Sequence, residues 1–291
     1  LKIQIIPVLV AALLSVNIST STADPDPWST GAGSQPNAIA VDAQGNIFTV
    51  NSGNNTVTEF DSLGAVLHTF PTGSNPRGIT VDSAGNIYTA NFMGNSVTKI
   101  NTSGEFQTID TTNYPVKVIV DPSGHIFVLH FNNSITEMDS SGNLLNTFPT
   151  GDSPVAMTRD SDGNFYSANN NGPNITKVTA QGEVSRIDPN LIPWAIGTDA
   201  SGNIYVAGQT YTMHGDSMQV GVSALVKLDS SGNEISRTLL PGFGPLAMTL
   251  DADGNIYLAG SIGEASGVVK INASGEKYIL GYTGQWPIGI L

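Results

Sequence analysis

Short stretches of the chain alternate apolar residues with polar or small ones at a period of two, and turns rich in aspartate, asparagine and glycine separate these stretches. Ile79 and Val81, which follow Pro76, show this alternation, the pattern of a β-strand. The turn from Asp82 to Gly85 supplies a carboxylate that hydrogen-bonds turn amides and a glycine that accepts a positive φ, so the next strand returns antiparallel. The pattern predicts a four-stranded meander, with strands over residues 76–82, 86–90, 96–100 and after Gly104.

This meander recurs six times along the chain. Each copy centres on D-x-x-G-N-I-Y or a close variant, led by Asp42, Asp82, Asp121, Asp160, Asp199 and Asp251. One meander exposes two apolar faces, and copies stacked around an axis bury them against each other. The repeat therefore predicts an all-β fold, a β-propeller of four-stranded antiparallel blades. A parallel β-helix is the structural alternative, but its coils are usually shorter and lack paired hairpin turns.

The repeated units also resemble a known family. The units P-x-G-I-x-V-D-x-x-G-N-I-Y and V-T-K-I-N-x-S-G are similar to NHL repeats and, more distantly, to the streptogramin (virginiamycin B) lyase-like and SMP-30-like propellers. The resemblance spans residues 36–291 and implies the propeller fold. It implies little about activity, because the matching residues are turn and core positions that propellers of many functions share.

The two ends of the repeat region bear on the number of blades. Residues 286–291 begin a fresh first strand, and residues 28–35 resemble a fourth strand in composition. Together they predict a partial seventh repeat that closes the domain by removing sheet edges. We expect the intact parent protein to have seven blades and this sequence to be truncated at its C-terminus. A six-bladed ring with a surplus last strand is the alternative.

The amino terminus has the order of an export signal. Lys2 precedes an apolar run over residues 3–16, which is shorter than a membrane span, and Ser21 and Ala23 fit a signal-peptidase site. We expect residues 1–23 to be a signal peptide and 24–291 to be the propeller domain, secreted or periplasmic, with no membrane insertion after cleavage. A buried amino-terminal strand or helix is the alternative.

Charge and cysteine content exclude several functions. The chain has 11 basic and 24 acidic side chains and a net charge of -13, so its surface repels nucleic-acid phosphates and anionic lipid. We therefore expect no nucleic-acid partner. The absence of cysteine removes disulfides, thiolate metal sites and cysteine nucleophiles.

The ends of the second strands are predicted to meet at one face of the propeller, around the mouth of its channel. The residues at these ends are Asn51, Asn91, His130, Asn169, Gly208 and Gly260. The polar members could form a hydrogen-bonding rim, with the glycines leaving one side open for a bulky group. In the alternative interpretation the asparagines satisfy loop amides and His130 is structural rather than an acid, base or ligand.

Residues directly after the strand-opening prolines are predicted at the same face. They include Asn37, Arg77 and Trp194, and an arginine beside an aromatic ring suits a carboxylate or a sugar. Trp194 could instead fill the channel. The fifth repeat carries an insertion over residues 208–223 with Tyr211 and His214, which is either a lid over the mouth or a tolerated surface insertion.

Two functions follow from these residues. The first is an exported, non-catalytic scaffold that binds a small molecule, a glycan or a protein at the channel mouth. The second, implied by the distant resemblance, is a metal-dependent lactonase or streptogramin-lyase-like enzyme. The asparagine-rich rim and the lack of a glutamate-x-histidine pair count against the enzyme. No cofactor is expected, and a divalent cation in the channel is the alternative. The turns at 160–164 and 251–255 resemble the start of a calcium loop but lack its distant glutamate.

Overall fold

The structure is a computed structural model that describes residues 35–283 except 112, 215–216, 252 and 263–264, and it describes no side chains at 265–266 and 280–283. The predicted signal peptide, residues 28–34 and the predicted seventh repeat at 286–291 lie outside the described residues. No helix in the described part of the chain is long and apolar enough to cross a bilayer.

The described secondary structure consists of six four-stranded antiparallel sheets, numbered here as blades 1 to 6 in chain order, and within each blade neighbouring strands follow sequence order. Blades 1 to 3 are built from β1 (Pro36–Val41), β2 (Ile47–Asn51), β3 (Thr56–Phe60), β4 (Val66–Pro71), β5 (Pro76–Val81), β6 (Ile87–Asn91), β7 (Ser96–Ile100), β8 (Phe106–Asp110), β9 (Pro115–Val120), β10 (Ile126–His130), β11 (Ser134–Met138) and β12 (Leu144–Pro149).

Blades 4 to 6 are built from β13 (Asp152–Arg159), β14 (Phe165–Asn171), β15 (Asn174–Val178), β16 (Val184–Ile187), β17 (Ile192–Thr198), β18 (Ile204–His214), β19 (Ser217–Leu228), β20 (Glu234–Leu240), β21 (Phe243–Leu250), β22 (Ile256–Ile262), β23 (Ala265–Ile271) and β24 (Lys277–Thr283). This is the architecture of a six-bladed β-propeller and confirms the predicted fold class. In blade 2 the strands start and end within about a residue of the predicted positions.

The chain packs as two compact units. Among the described residues, unit 1 comprises 35–130, 136–146 and Thr283, and unit 2 comprises 131–135 and 147–282. In unit 1, Phe48 and Val57 of blade 1 pack with Ile79 and Ile87 of blade 2 in one apolar cluster. Neighbouring blades in unit 2 share clusters of the same kind. Face-to-face packing of blades thus buries the apolar faces that a single meander leaves exposed.

Each blade has two different ends. At the end that we name the turn end, Asp82 Oδ1 accepts hydrogen bonds from the amides of Ala84 and Asn86, both at 2.9 Å, and Gly85 has a φ of 84°. Asp82 Oδ2 accepts a bond from Asn86 Nδ2 at 2.8 Å and from the Tyr88 hydroxyl at 3.1 Å. The opposite end, where the first strand begins and the second strand finishes, is named the bulge end.

Candidate functional site

The bulge end takes its name from a register shift that recurs in all six blades. In blade 2, Pro76 pairs with Asn91 and Gly78 pairs with Ala90, so Arg77 between them has no cross-strand partner. Proline lacks an N–H and is tolerated in sheets at such bulges, and a bulge re-aims the side chain of its extra residue. The bulged residues are Asn37, Arg77 and Val116 in unit 1 and Val155, Trp194 and Leu246 in unit 2.

Arg77 is the cationic member of this set and lies on an aromatic stack. Its Cζ is 3.5 Å from the centroid of the Phe92 ring, and the Phe92 and Tyr114 rings are 5.1 Å apart at an interplanar angle of 36°. Phe92 is only 9% exposed, whereas Tyr114 is 46% exposed and Met93 is exposed beside it in the chain. The Arg77 guanidinium and the Tyr114 ring therefore both contact a mostly buried phenyl ring.

The loops that carry this stack are held by asparagine side chains. Asn95 Oδ1 accepts a hydrogen bond from the Tyr114 amide at 2.9 Å, and Asn55 Oδ1 accepts one from the Asn75 amide at 2.7 Å. Asn75 Oδ1 in turn accepts a bond from Arg77 Nε at 3.2 Å. Asn75 and Tyr114 have positive φ angles of 52° and 56°, which costs an L-residue backbone energy. The contacts of the loops hold this conformation in place.

The electrostatics of Arg77 favour an external anion. Within the described part of the chain, its two terminal nitrogens have no hydrogen-bond partner and no carboxylate lies within salt-bridge distance. Desolvation by burial lowers the pKa of the Arg77 guanidinium from its ordinary value, and arginine remains protonated at neutral pH. The outer edge of the guanidinium is therefore a charged, two-donor fork available to a carboxylate.

Asn37 is placed next to this stack. Its Nδ2 donates a hydrogen bond to the carbonyl oxygen of Pro76 at 3.3 Å, directly before Arg77. The structure therefore brings two of the predicted site residues together, at the bulges of neighbouring blades.

The asparagines predicted at the ends of the second strands, Asn51, Asn91 and Asn169, are fully buried. Asn91 Nδ2 donates to Ser96 Oγ at 3.1 Å and to Thr98 Oγ1 at 2.9 Å, and Thr98 Oγ1 accepts a bond from the Gly73 amide at 3.2 Å. Asn51 and Asn169 bond the corresponding strands of blades 1 and 4. This network ties the second strand to the third, and in blades 2 and 4 the threonine of the network also accepts the amide of a glycine in the loop before the first strand. A ligand contact by these side chains stays a prediction.

His130 takes the asparagine position in blade 3 and is also buried, at 1% exposure. Its Nε2 lies 2.8 Å from Thr136 Oγ1, the counterpart of Thr98 in blade 2. The imidazole thus bonds the third strand as the asparagines do, and a ligand contact by His130 stays a prediction.

The expectation that Gly208 and Gly260 leave an open side is wrong. A Cβ built on Gly208 would lie 2.0 Å from the carbonyl oxygen of Ile192, and one on Gly260 would lie 2.1 Å from that of Gly244. Backbone carbonyls already occupy the space that a side chain would need. The two glycines therefore mark close approach of the chain to itself rather than a vacant place for a ligand.

The other predicted site residues lie in unit 2. The insertion continues the sheet as a long hairpin of β18 and β19, in which Tyr211 pairs with Val220 and His214 pairs with Ser217. Tyr211 is half-buried, and burial together with the negative charge of Asp188 raises the pKa of its hydroxyl. Trp194 is half-buried at its bulge. Because Arg77 belongs to unit 1, joint action of Arg77 and Trp194 stays a prediction.

The described residues contain no group of three or more histidine, aspartate or glutamate side chains placed to hold a metal ion. In the turn that resembles a calcium loop, both oxygens of Asp160 accept hydrogen bonds within blade 4, from Asn164 and from the hydroxyl of Tyr166. Asp160 is therefore engaged in the same turn chemistry as the leading aspartates of the other blades.

The repeat pattern of the sequence does not predict Phe92 and Tyr114 as parts of the site. A signal was available for Phe92, because it directly follows the strand-end residue Asn91 and replaces the serine that follows Asn51 in blade 1. No comparable signal marks Tyr114, whose position depends on a loop conformation that the period-two pattern does not describe.

Comparison with known proteins agrees with the fold. No protein-family model matches the sequence, and no curated protein matches it. A streptogramin B lyase structure is 17% identical with a TM-score of 0.73, covering 88% of this chain and 85% of that one. Virginiamycin B lyase from Staphylococcus aureus is 16% identical with a TM-score of 0.69, covering 84% of this chain and 83% of that one. Hydrazine synthase from Kuenenia stuttgartiensis is 15% identical with a TM-score of 0.72, covering 94% of this chain and 92% of that one.

These similarities define the chain as a protein of the β-propeller class. Identities this low show the fold alone, and the names of the three structures include both lyases and a hydrazine synthase. The resemblance to lyase-like propellers is thus supported for the fold, whereas membership of the NHL-repeat family stays a prediction.

Proposed function

We propose that the protein is an exported, non-catalytic binding module that holds a ligand carrying a carboxylate next to a sugar or other ring. The observation that carries this proposal is the Arg77 guanidinium, stacked 3.5 Å above Phe92 with its terminal nitrogens unpartnered among the described residues. An arginine whose face is already packed presents its edge in a fixed orientation, which favours bidentate binding of a carboxylate.

The surroundings of Arg77 support the ring contact. Tyr114 and Met93 are exposed large apolar side chains at the same bulge end. An exposed tyrosine ring offers a flat face on which a sugar ring can stack and a hydroxyl that can bond its hydroxyls. A net charge of -13 also makes Arg77 a local exception, since most of the surface repels an anionic ligand.

The experiment is a binding assay with residues 24–291 on immobilised oligogalacturonate, with the neutral oligogalactose of the same length as the comparison probe. We expect retention of the uronate only. Arg77→Ala should weaken it at least about tenfold, which corresponds to about 1.4 kcal/mol. Arg186→Ala is the matched control, because Arg186 is also exposed but lies on the outermost strand of blade 4. It should bind like the parent protein.

Two results would overturn the proposal. One is equal retention of neutral and acidic sugars, which would remove the role of the carboxylate. The other is an equal loss of binding in the two arginine variants, which would mean that net charge alone accounts for the binding. Incubation with a streptogramin B antibiotic and Mg²⁺ tests the enzyme alternative, and cleavage of the antibiotic would contradict a non-catalytic role.

A further inference from the structure

A second candidate site lies at the turn end, where blade 1 departs from the repeat. In blades 2, 4, 5 and 6 a tyrosine on the second strand pairs across the sheet with a lysine on the third. In each case the lysine Nζ lies 5.0–5.5 Å from the centroid of the tyrosine ring. The pairs are Tyr88 with Lys99, Tyr166 with Lys177, Tyr205 with Lys227 and Tyr257 with Lys270.

One of these lysines connects two blades. Lys177 Nζ donates a hydrogen bond to the carbonyl oxygen of Ser230 at 2.9 Å, in the turn between the third and fourth strands of blade 5. The ammonium of blade 4 is thus bonded to the turn of the next blade while it lies against Tyr166. This place in the fold therefore suits a primary ammonium.

Blade 1 has the same strands but no such lysine. Phe48 replaces the tyrosine and pairs with Glu59, which replaces the lysine. Glu59 Oε2 lies 2.9 Å from His68 Nδ1, whereas Glu59 Oε1 has no hydrogen-bond partner among the described residues. The side chain of Glu59 is 15% exposed. A negative charge with one unpartnered oxygen therefore occupies the position at which other blades have a positive one.

A groove between blades 1 and 2 is lined by Glu59, at the position that carries lysine in blades 2, 4, 5 and 6. Its volume is about 460 Å³, and it lies wholly within unit 1. Glu59 and Asp42 line it from blade 1, and Thr102 lines it from the blade 2 turn that corresponds to the Ser230 turn of blade 5. Phe48 and Phe70 contribute aromatic surface. The groove combines carboxylates, turn residues and aromatic rings. Elsewhere in the fold a lysine ammonium lies near each kind of group, the carboxylate being that of Asp199, 3.6 Å from Lys227 Nζ.

Asp42 adds a further acceptor. In blades 2, 4, 5 and 6 the leading aspartate accepts a tyrosine hydroxyl, but Phe48 has no hydroxyl to give. Among the residues that the structure describes, Asp42 Oδ2 accepts a hydrogen bond from Asn46 Nδ2 alone, at 2.9 Å. It therefore retains capacity for a second donor.

We propose that this groove binds a primary alkylammonium group, which takes the position that lysine occupies in the other blades. Its ammonium bonds Glu59 and Asp42 and its alkyl stem lies along Phe48 and Phe70, since ammonium groups are attracted to carboxylates and to aromatic faces. The group belongs either to a small diamine or to a lysine side chain of a peptide. The groove is at the turn end, so the inference does not depend on the carboxylate site at Arg77.

The test uses residues 24–291 and calorimetric titration with cadaverine, with Nα-acetyl-lysine-N-methylamide and with 1,5-pentanediol as the neutral comparison. We expect both amines to bind with dissociation constants of about 1 mM or lower and the diol not to bind. Tighter binding of cadaverine identifies a diamine as the source of the ammonium, and tighter binding of the lysine amide identifies a peptide side chain.

The decisive variant is Glu59→Lys, which restores the lysine of the other blades. Its own ammonium should fill the groove and weaken amine binding at least about tenfold. Glu183→Lys is the matched control, because Glu183 lies in an exposed turn of blade 4 and the change in charge is the same. Glu59→Gln keeps the shape of the side chain and tests the charge if the lysine variant fails to fold.

The proposal requires weakened binding in Glu59→Lys or Glu59→Gln and unchanged binding in Glu183→Lys. Absence of amine binding up to about 20 mM would overturn it, since even a weak specific site is measurable at that concentration. An equal loss in the Glu59 and Glu183 variants would also overturn it, because general charge attraction would then account for the binding.

Discussion

The two ends of the blades follow opposite rules. At the turn end the same hydrogen bonds recur in all six blades, with the carboxylate of the leading aspartate accepting the amide four residues later. At the bulge end the backbone shift recurs but the side chain on it changes from asparagine to arginine, valine, tryptophan or leucine. Repeated side chains therefore serve the architecture, and side chains that vary on a repeated backbone are the candidates for function.

The exceptions within each end refine this rule. At the turn end, blades 1 and 3 have phenylalanine and glutamate where the other blades have tyrosine and lysine, and each glutamate pairs with a histidine. At the bulge end, the repeated asparagines are buried and hold strands together. Location alone thus does not separate structure from function.

The largest expected effect comes from placing the repeated side chain where the backbone has no room for it. Gly208→Asn copies the residue that ends the second strand in blades 1, 2 and 4, but its Cβ would lie 2.0 Å from the Ile192 carbonyl oxygen. We expect a loss of more than about 3 kcal/mol of unfolding free energy, or no folded protein, because a backbone atom must move. Chemical denaturation measures the change.

Gly172→Asn is the control for that substitution. Gly172 has a φ of 79° and no atom within 4 Å of a built Cβ, and asparagine tolerates this conformation better than other non-glycine residues. The loss there should stay near or below about 1 kcal/mol. Similar losses at both positions would mean that the close approach at Gly208 does not govern its identity.

The next largest effect is expected from removing the hydrogen bonds of the repeated turn. Asp160→Ala removes the acceptor for the Asn164 amide and side chain and leaves the buried hydroxyl of Tyr166 without its partner. We expect a loss of about 2–4 kcal/mol, because buried donors left unsatisfied are costly. Asp121→Ala in blade 3 should cost less, since that aspartate has phenylalanine rather than tyrosine six residues later. Equal losses would show that the tyrosine bond adds nothing.

The sequence predicts the turn end well and the bulge end poorly, for a physical reason. Turn chemistry is local, so an aspartate and a glycine three residues apart specify the bonds of the turn without reference to the rest of the chain. The bulge end depends on contacts between loops. Arg77 was predicted at this end from its place after a proline, but its stacking on Phe92 and Tyr114 depends on two loops that the repeat pattern does not describe.

The period-two pattern also does not predict that the asparagines near the strand ends are buried. Period-two alternation distinguishes the two faces of a strand, but it does not say whether an asparagine at the strand end points to solvent or bonds the neighbouring strand. Asn91 does the latter, through Ser96 and Thr98. Likewise, a glycine at that position could mean open space or close approach, and only the position of the Ile192 carbonyl decides between them for Gly208.

The smallest expected effect is the contribution of the repeated turn to stability in acid. Burial alone raises the pKa of Asp82, but hydrogen bonds from Asn86, from Tyr88 and from the Ala84 amide outweigh it, so the net pKa is lowered. The pKa values of Asp160, Asp199 and Asp251 are lowered for the same reasons.

A carboxyl group whose pKa is lower in the folded protein stabilises it fully above the unfolded pKa of about 3.9, and this contribution disappears as the pH falls through the folded value. We therefore expect the denaturation midpoint to decrease progressively below about pH 4. Tyr88→Phe gives blade 2 the turn of blade 1 and removes one hydrogen bond to ionised Asp82, so its unfolding free energy should depend less steeply on pH in this range than that of the parent protein. An unchanged slope would mean that the tyrosine does not contribute to the lowered pKa, and the chemical difference between the two kinds of blade would then lie in the lysine alone.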